Sequence, residues 1–128
     1  MRLLLDTHVV LWSITNPEKL STRVKNLISD ESNLCFVSIA ALWEIAIKSS
    51  IGRLELKTGL DHVFQTIDKT GFEILPIDGS HIINVAQLPF HHRDPFDRIF
   101  IAQAAVEDMV LVSKDEHFDK YPIKVIWE

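Results

Sequence analysis

The chain has 128 residues, of which 47% are hydrophobic and 24% charged, and this length and balance are ordinary for one soluble domain with a substantial core. Its formal net charge of −5 argues against a basic surface that grips duplex DNA, so a nucleic-acid partner requires a metal ion or a local basic patch. The single cysteine, Cys35, allows no internal disulfide and no apolar run is long enough to span a bilayer, so we expect a cytoplasmic protein with no membrane partner.

Short apolar segments alternate along the chain with segments of helical periodicity. Strands are predicted at residues 3–5, 34–37, 72–75, 110–112 and 125–127. Helices are predicted at residues 7–14, 21–29, 39–50, 59–70, 78–87 and 96–107. This alternation predicts an α/β fold, a single domain over residues 1–128, with a mainly parallel sheet of about five strands flanked by helices. Asp6 interrupts the first apolar run, which argues against a signal peptide.

Four acidic residues follow predicted strands or lie just inside a helix after one. They are Asp6, Glu44, Asp97 and Asp115. Because the carboxyl ends of parallel strands lie at one edge of a sheet, we expect these four side chains to converge there. Like charges do not gather without a counter-charge, and carboxylate oxygens suit hard divalent cations. The sequence therefore predicts a site for Mg²⁺ or Mn²⁺.

Each acid also has a simpler structural explanation. Asp6 can cap the helix that follows it. Glu44 stands alone among apolar residues, but Lys48 lies four residues on, in the favourable order for a helical ion pair. Such a pair contributes only about 0.2–0.5 kcal/mol when exposed, so we favour Glu44 as a ligand. Asp115 can be a solvated loop residue.

Two acids compete for the third position of the cluster. Asp94 precedes Pro95, as a helix N-cap does, whereas Asp97 shares a helical face with Ile101 and Ala104. We therefore favour Asp97 as the acid that points inward and keep Asp94 as the alternative.

Other polar side chains near the four acids are candidates for substrate binding. Arg98, Lys114 and Ser113 are the three that we select, the first two for phosphate groups. The six histidines show no spacing typical of a zinc site. Trp43 is expected to fill the core, and Trp12 and Phe90 to be partly exposed.

The chain resembles the PIN-domain family, and within it the toxins of VapBC-type toxin–antitoxin pairs. The resemblance rests on Leu4-Leu5-Asp6-Thr7-His8, on Ser38 with Trp43-Glu44, on the run from His92 to Arg98 with Ile101 to Ala104, and on Ser113 to Phe118. It implies a three-layer PIN-like fold and a Mg²⁺- or Mn²⁺-dependent ribonuclease specific for single-stranded RNA. The family's four acids would be Asp6, Glu44, Asp97 and Asp115. The resemblance further implies a homodimer that a cognate antitoxin protein holds inactive.

Two other classes of protein fit parts of the sequence. A signalling receiver domain also carries acids at strand ends and binds Mg²⁺, but it needs adjacent acids after its first strand, where this chain has Asp6 alone. A non-catalytic PIN-like interaction module would bind only a partner, and the presence of all four acids argues against it.

Overall fold

The computed structural model describes all 128 residues and contains one five-stranded sheet in which every neighbouring pair of strands is parallel. The strand order is β3-β2-β1-β4-β5. The strands are β1 (Arg2–Leu5), β2 (Leu34–Ser38), β3 (Glu73–Leu75), β4 (Val110–Val112) and β5 (Val125–Ile126). The predicted α/β fold with a parallel sheet is confirmed.

Six α-helices connect the strands. They are α1 (Thr7–Thr15), α2 (Thr22–Ser29), α3 (Ile39–Ser50), α4 (Leu60–Thr70), α5 (Gly79–Gln87) and α6 (Pro95–Glu107). Every helix and strand boundary lies within one residue of its prediction. Two short 3₁₀ helices, at Pro17–Lys19 and Glu116–Lys120, were not predicted from the sequence.

Strand β1 is the centre of the sheet and of the core. Its residues Leu3, Leu4 and Leu5 are fully buried, because helices cover both faces of the sheet at this strand. β2 pairs with one side of β1 and β4 with the other. Whatever follows β1, β2 and β4 in the sequence therefore emerges at the same edge of the sheet.

The strand order decides between the fold classes that the sequence left open. In the order 3-2-1-4-5 the connection reverses direction between β1 and β4, and ligands of open α/β sheets bind at such a switch point. Receiver domains have the order 2-1-3-4-5 instead. The topology thus excludes the receiver alternative and directs attention to the ends of β1 and β4.

The expected burial of Trp43 is wrong, since 61% of this side chain is exposed. Helix α3 is apolar on nearly all sides, so its sequence alone does not reveal which face turns outward. Ile39 and Trp43, four residues apart, lie on the outward face, and Trp43 packs edge-on against Phe96 of α6. None of the helices combines the length and hydropathy that crossing a bilayer requires.

Candidate functional site

Asp6 lies directly after β1 and is almost completely buried. Its backbone N–H extends the pairing with β4 by donating to the Val112 carbonyl, 3.0 Å away. Asp6 occupies the N-cap position of α1, as the simpler explanation expects, but its side chain makes no capping hydrogen bond there. Instead its Oδ2 accepts a hydrogen bond from Ser113 Oγ at 2.6 Å. Burial raises the pKa of the Asp6 carboxyl, and the Ser113 hydrogen bond opposes that rise.

Glu44 reaches the same edge of the sheet from α3. Ser38, the last residue of β2, caps this helix by accepting from Ala40 N–H, which fixes where α3 begins. The Glu44 carboxylate accepts a hydrogen bond from Thr7 Oγ1 at 2.6 Å and pairs with Lys48 Nζ at 2.5 Å. The helical ion pair with Lys48, the simpler explanation for this acid, is therefore present. It raises the pKa of Lys48, chiefly through the hydrogen bond to Glu44.

The beginning of α6 separates the roles of its two acids. Asp94 is exposed and caps the helix, because its Oδ1 accepts from the N–H groups of Phe96 and Asp97 at 2.9 and 3.1 Å. Asp97 points inward, and its side chain is 18% exposed. The capping role expected for Asp94 is confirmed, and Asp97 remains the better candidate for the cluster.

Asp115 is the most exposed of the four selected acids and caps the 3₁₀ helix after β4. Its Oδ1 accepts from the His117 N–H at 2.9 Å, and its own N–H donates to Ser113 Oγ at 3.0 Å. Ser113 thus holds Asp6 with its hydroxyl hydrogen and the Asp115 backbone with its oxygen. One buried serine ties the loop after β4 to the acid after β1.

Neighbouring carboxylates affect the ionisation of Asp97 in particular. The pKa of this carboxyl is raised to about 8, first by burial and then by the charges of Asp94, Asp6, Glu44 and Asp115. The carboxylates of Asp94, Asp6, Glu44 and Asp115 therefore lie close enough to Asp97 to oppose its ionisation. At neutral pH such a group holds a proton unless a cation replaces it.

The donor set fits a hard divalent cation. Mg²⁺ usually keeps several waters and uses one or two protein carboxylates directly, with further acids bonded to its waters. No three of the selected acids offer oxygens within 4.8 Å of one another, so one ion would contact only some of them and reach the rest through water. Lys48 neutralises Glu44 in part, but no basic group pairs with Asp6 or Asp115.

A different trio does lie within 4.8 Å, namely Asp78, His81 and Glu107. His81 Nδ1 accepts the Asp78 N–H at 3.0 Å, so the ring proton lies on Nε2, which is 3.1 Å from Glu107 Oε1. The Nδ1 atom thus belongs to the capping box of α5, and the Nε2 atom contacts Glu107 of α6, so both ring nitrogens are occupied. We assign this trio to the packing of the two helices.

The residues selected for substrate binding have different surroundings. Arg98 is buried, and its guanidinium donates to the carbonyls of Pro89, Val85 and Leu88 at 3.0 to 3.3 Å while it lies over the Phe90 ring. It closes the end of α5, so its expected contact with phosphate is not supported.

The other two selected residues differ from each other in exposure. Lys114 is exposed beside Asp115 and stays available to a substrate. Ser113 is buried and bonded to Asp6, which makes it a residue that positions the acid.

Sequence reasoning assigned no role to two residues near the acids, namely Thr7, which bonds to Glu44, and His92. His92 Nε2 lies 3.5 Å from Asp97 Oδ2, and its Nδ1 lies 2.9 Å from the Tyr121 hydroxyl. Burial, followed by the nearby His117, lowers the pKa of His92. The adjacency of His91, His92 and Arg93 in the sequence indicated a solvated loop and gave no sign of the contact with Tyr121.

Comparisons with known proteins agree with this architecture. The promoter-bound VapBC2 structure from Rickettsia felis has a TM-score of 0.75 at 17% identity, with all of both chains covered. DNA-bound VapBC from Salmonella typhimurium gives 0.73 at 17% identity, with 98% of this chain and 97% of that chain covered. VapBC-1 from nontypeable Haemophilus influenzae gives 0.68 at 14% identity, with 98% and 97% covered.

The sequence comparisons give the family. No curated protein sequence matches the chain significantly. The family model described as PIN domain, however, matches residues 3–124, which is nearly the whole length. The chain therefore belongs to the PIN domain family.

Proposed function

We propose that the chain is a metal-dependent ribonuclease that hydrolyses phosphodiester bonds of single-stranded RNA. The observation that carries the proposal is the placement of the acids beyond the ends of β1 and β2, where Asp6 and Glu44 are buried and Asp97 points inward from α6, with the pKa of Asp97 raised by burial and by neighbouring acids. A carboxyl group in that environment has a strong tendency to exchange its proton for a cation. Membership of the PIN domain family supports a nuclease, and the carboxylate donors favour Mg²⁺ or Mn²⁺.

Each acid has a proposed role at the site. Asp6 and Asp97 are the principal metal ligands, while Glu44 and Asp115 complete the site directly or through water and orient the water that attacks phosphorus. A divalent ion, when bound, supplies positive charge that makes water more acidic and offsets the charge of the attacked phosphate. Thr7 and Ser113 fix the Glu44 and Asp6 carboxylates by hydrogen bonds of 2.6 Å, so both acids are held in place before the substrate arrives.

The biological setting that we propose is a toxin–antitoxin pair. The VapBC structures above are similar to this chain in fold, and so is a Klebsiella pneumoniae structure described as a toxin–antitoxin complex, with a TM-score of 0.65 at 17% identity. These similarities support a cognate antitoxin protein as partner, and the cytoplasm is the location that we propose for the pair.

An exposed apolar patch supports the proposed homodimer. The patch is formed by Trp43 on α3 and Ile82 on α5, each more than half exposed, with Pro95 and Phe96 at the start of α6. Trp43 and Ile82 border an apolar cavity of about 280 Å³ between α3, α5 and α6. Monomeric proteins rarely leave large contiguous apolar surface in water, so this face is suited to a second copy of the chain.

The nuclease proposal is tested with Asp6→Asn, which keeps the shape of the side chain and removes its charge. We expect wild-type protein to cleave single-stranded RNA in Mg²⁺ or Mn²⁺ and to lose activity in EDTA. Asp6→Asn should lose at least about 100-fold in rate while it folds normally.

Metal binding is measured separately from cleavage. Millimolar Mn²⁺ should raise the melting temperature of the wild type by mass action and raise that of Asp6→Asn much less. Asp119→Asn, an exposed acid outside the cluster, serves as the charge-matched control. Full RNA cleavage by Asp6→Asn, or by wild-type protein in EDTA, would refute the proposal.

A further inference from the structure

A groove of about 710 Å³ leads away from the acid cluster between α1, α3, α4 and the loop at residues 51–59. Thr7 and Lys48 line its inner end, and both also bond to the Glu44 carboxylate. The groove and the cluster therefore share a wall. When one unit of a polymeric substrate lies at the acids, the groove offers a path for the neighbouring units.

The groove is basic although the protein is acidic. Its lining includes Lys19, Lys48, Arg53 and Lys57 and a single acid, Glu55. The whole chain has 13 lysines and arginines against 18 aspartates and glutamates. Positive charge is thus concentrated along a groove that adjoins the acids, which offsets for a polyanion in the groove the repulsion that a net charge of −5 would otherwise impose.

The cations on the outer loop have no acidic partner. Arg53 and Lys57 are exposed, and neither side chain forms an ion pair or a hydrogen bond within the chain. Lys48 is different, because its ammonium group is already paired with Glu44. Arg53 and Lys57 therefore keep their full charge for a ligand and carry no visible structural task.

An aromatic side chain stands on the opposite wall. Trp12 of α1 is partly exposed to the groove, with Lys19 Nζ 5.9 Å from its ring centre and His8 at a ring separation of 5.6 Å. Sites that bind single-stranded nucleic acid combine a basic track for phosphates with aromatic surfaces on which bases stack. Both elements are present here within one groove.

We propose that this groove binds the single-stranded RNA that flanks the phosphate reacting at the acid cluster, with Arg53 and Lys57 contacting backbone phosphates. This inference rests on the proposed nuclease function, since it assigns the path of that enzyme's substrate. Apolar residues such as Leu54 and Leu56 also line the groove, and they would suit a protein segment. The unpaired cations and the continuity with the acids favour RNA.

The test compares two double variants that remove the same charge. Arg53→Gln/Lys57→Gln changes the groove, whereas Lys25→Gln/Lys69→Gln changes exposed lysines that do not line it. Both are made in an Asp6→Asn background, so that RNA is bound and not cut. Binding of a labelled single-stranded RNA of about twelve nucleotides is measured by fluorescence anisotropy between about 50 and 200 mM salt.

We expect the groove variant to bind the RNA about 10- to 30-fold more weakly. Each lost phosphate contact should reduce the slope of log Kd against log salt by about 0.7. Its slope of log Kd against log salt should fall by about 1.4, while the control variant keeps the slope of its parent. A trinucleotide that spans only the acid cluster should bind both variants equally.

Equal Kd values and slopes for the two double variants would overturn the inference and leave the groove to a protein partner. Failure of the nuclease proposal is recognised separately, because in that case wild-type protein with Mn²⁺ cleaves no single-stranded RNA. Cleavage by wild-type protein together with unchanged binding by the groove variant therefore refutes the RNA path alone.

Discussion

A single carboxyl group, that of Asp97, reports on the whole acid cluster. Its burial disfavours ionisation most, and the charges of four further acids add to the effect. Asp6 is shifted in the same direction by burial. The folded metal-free protein consequently binds protons that the unfolded chain releases at neutral pH.

This linkage predicts how the stability of the metal-free protein depends on pH. The pKa of Asp97 is about 8 in the folded protein and near 3.8 in the unfolded chain. Its contribution to the free energy of unfolding is therefore complete below pH 3.8 and is lost as pH rises to about 8. In EDTA, we expect the melting temperature of the wild type to fall between about pH 5 and 8 more steeply than that of Asp97→Asn. Asp119→Asn should follow the wild type, and parallel curves for wild type and Asp97→Asn would show that Asp97 is ionised throughout.

Two consecutive residues of α6, Asp97 and Arg98, have different roles. Asp97 turns toward the acids, while Arg98 turns toward α5 and satisfies three carbonyls at the end of that helix. Removing a buried donor leaves these carbonyls without a partner, which costs about 1–3 kcal/mol for each group left unsatisfied. The arginine therefore contributes to stability, although its position beside Asp97 in the sequence indicated substrate binding.

We expect Arg98→Ala to lower the free energy of unfolding by about 2–4 kcal/mol, measured by urea denaturation. The affinity of the folded protein for Mn²⁺ should stay within about twofold of the wild type, because the guanidinium contacts none of the acids. Lys114→Ala, an exposed substitution, should change stability by less than about 0.5 kcal/mol. A stable Arg98→Ala variant that binds RNA weakly would restore the sequence-based assignment.

Features of this protein that depend on local interactions could be predicted from the sequence, and features that depend on long-range packing could not. Element boundaries were predictable because helix caps such as Ser38 and the alternation of apolar segments are local signals. The alternation of strands and helices along the chain was enough to expect Asp6 and Asp97 at the same edge of the sheet. It was not enough to predict the order in which the strands lie side by side. The surroundings of Trp43 and Arg98 depend on how α3, α5 and α6 pack, and no local pattern encodes that packing.

At the scale of the whole molecule, the apolar patch predicts how copies of the chain associate. Ile82→Glu should convert the proposed homodimer to a monomer, because a charge in the middle of an apolar interface loses its water without gaining a partner. Ile51→Glu is a matched control, since Ile51 is as exposed as Ile82, at 61% against 60%, and does not border the cavity. Light scattering after size-exclusion chromatography measures both masses, and a dimer that survives Ile82→Glu would place the interface elsewhere.

The central position of β1 has a consequence for how the protein is made. β1 receives its second neighbour only when residues 110–112 are available, and Ser113 must arrive to hold Asp6. Contacts that span more than a hundred residues close late and slowly in folding. A nascent chain still missing β4 consequently has no assembled acid cluster, so the proposed nuclease activity should be absent until nearly all of the domain has been synthesised.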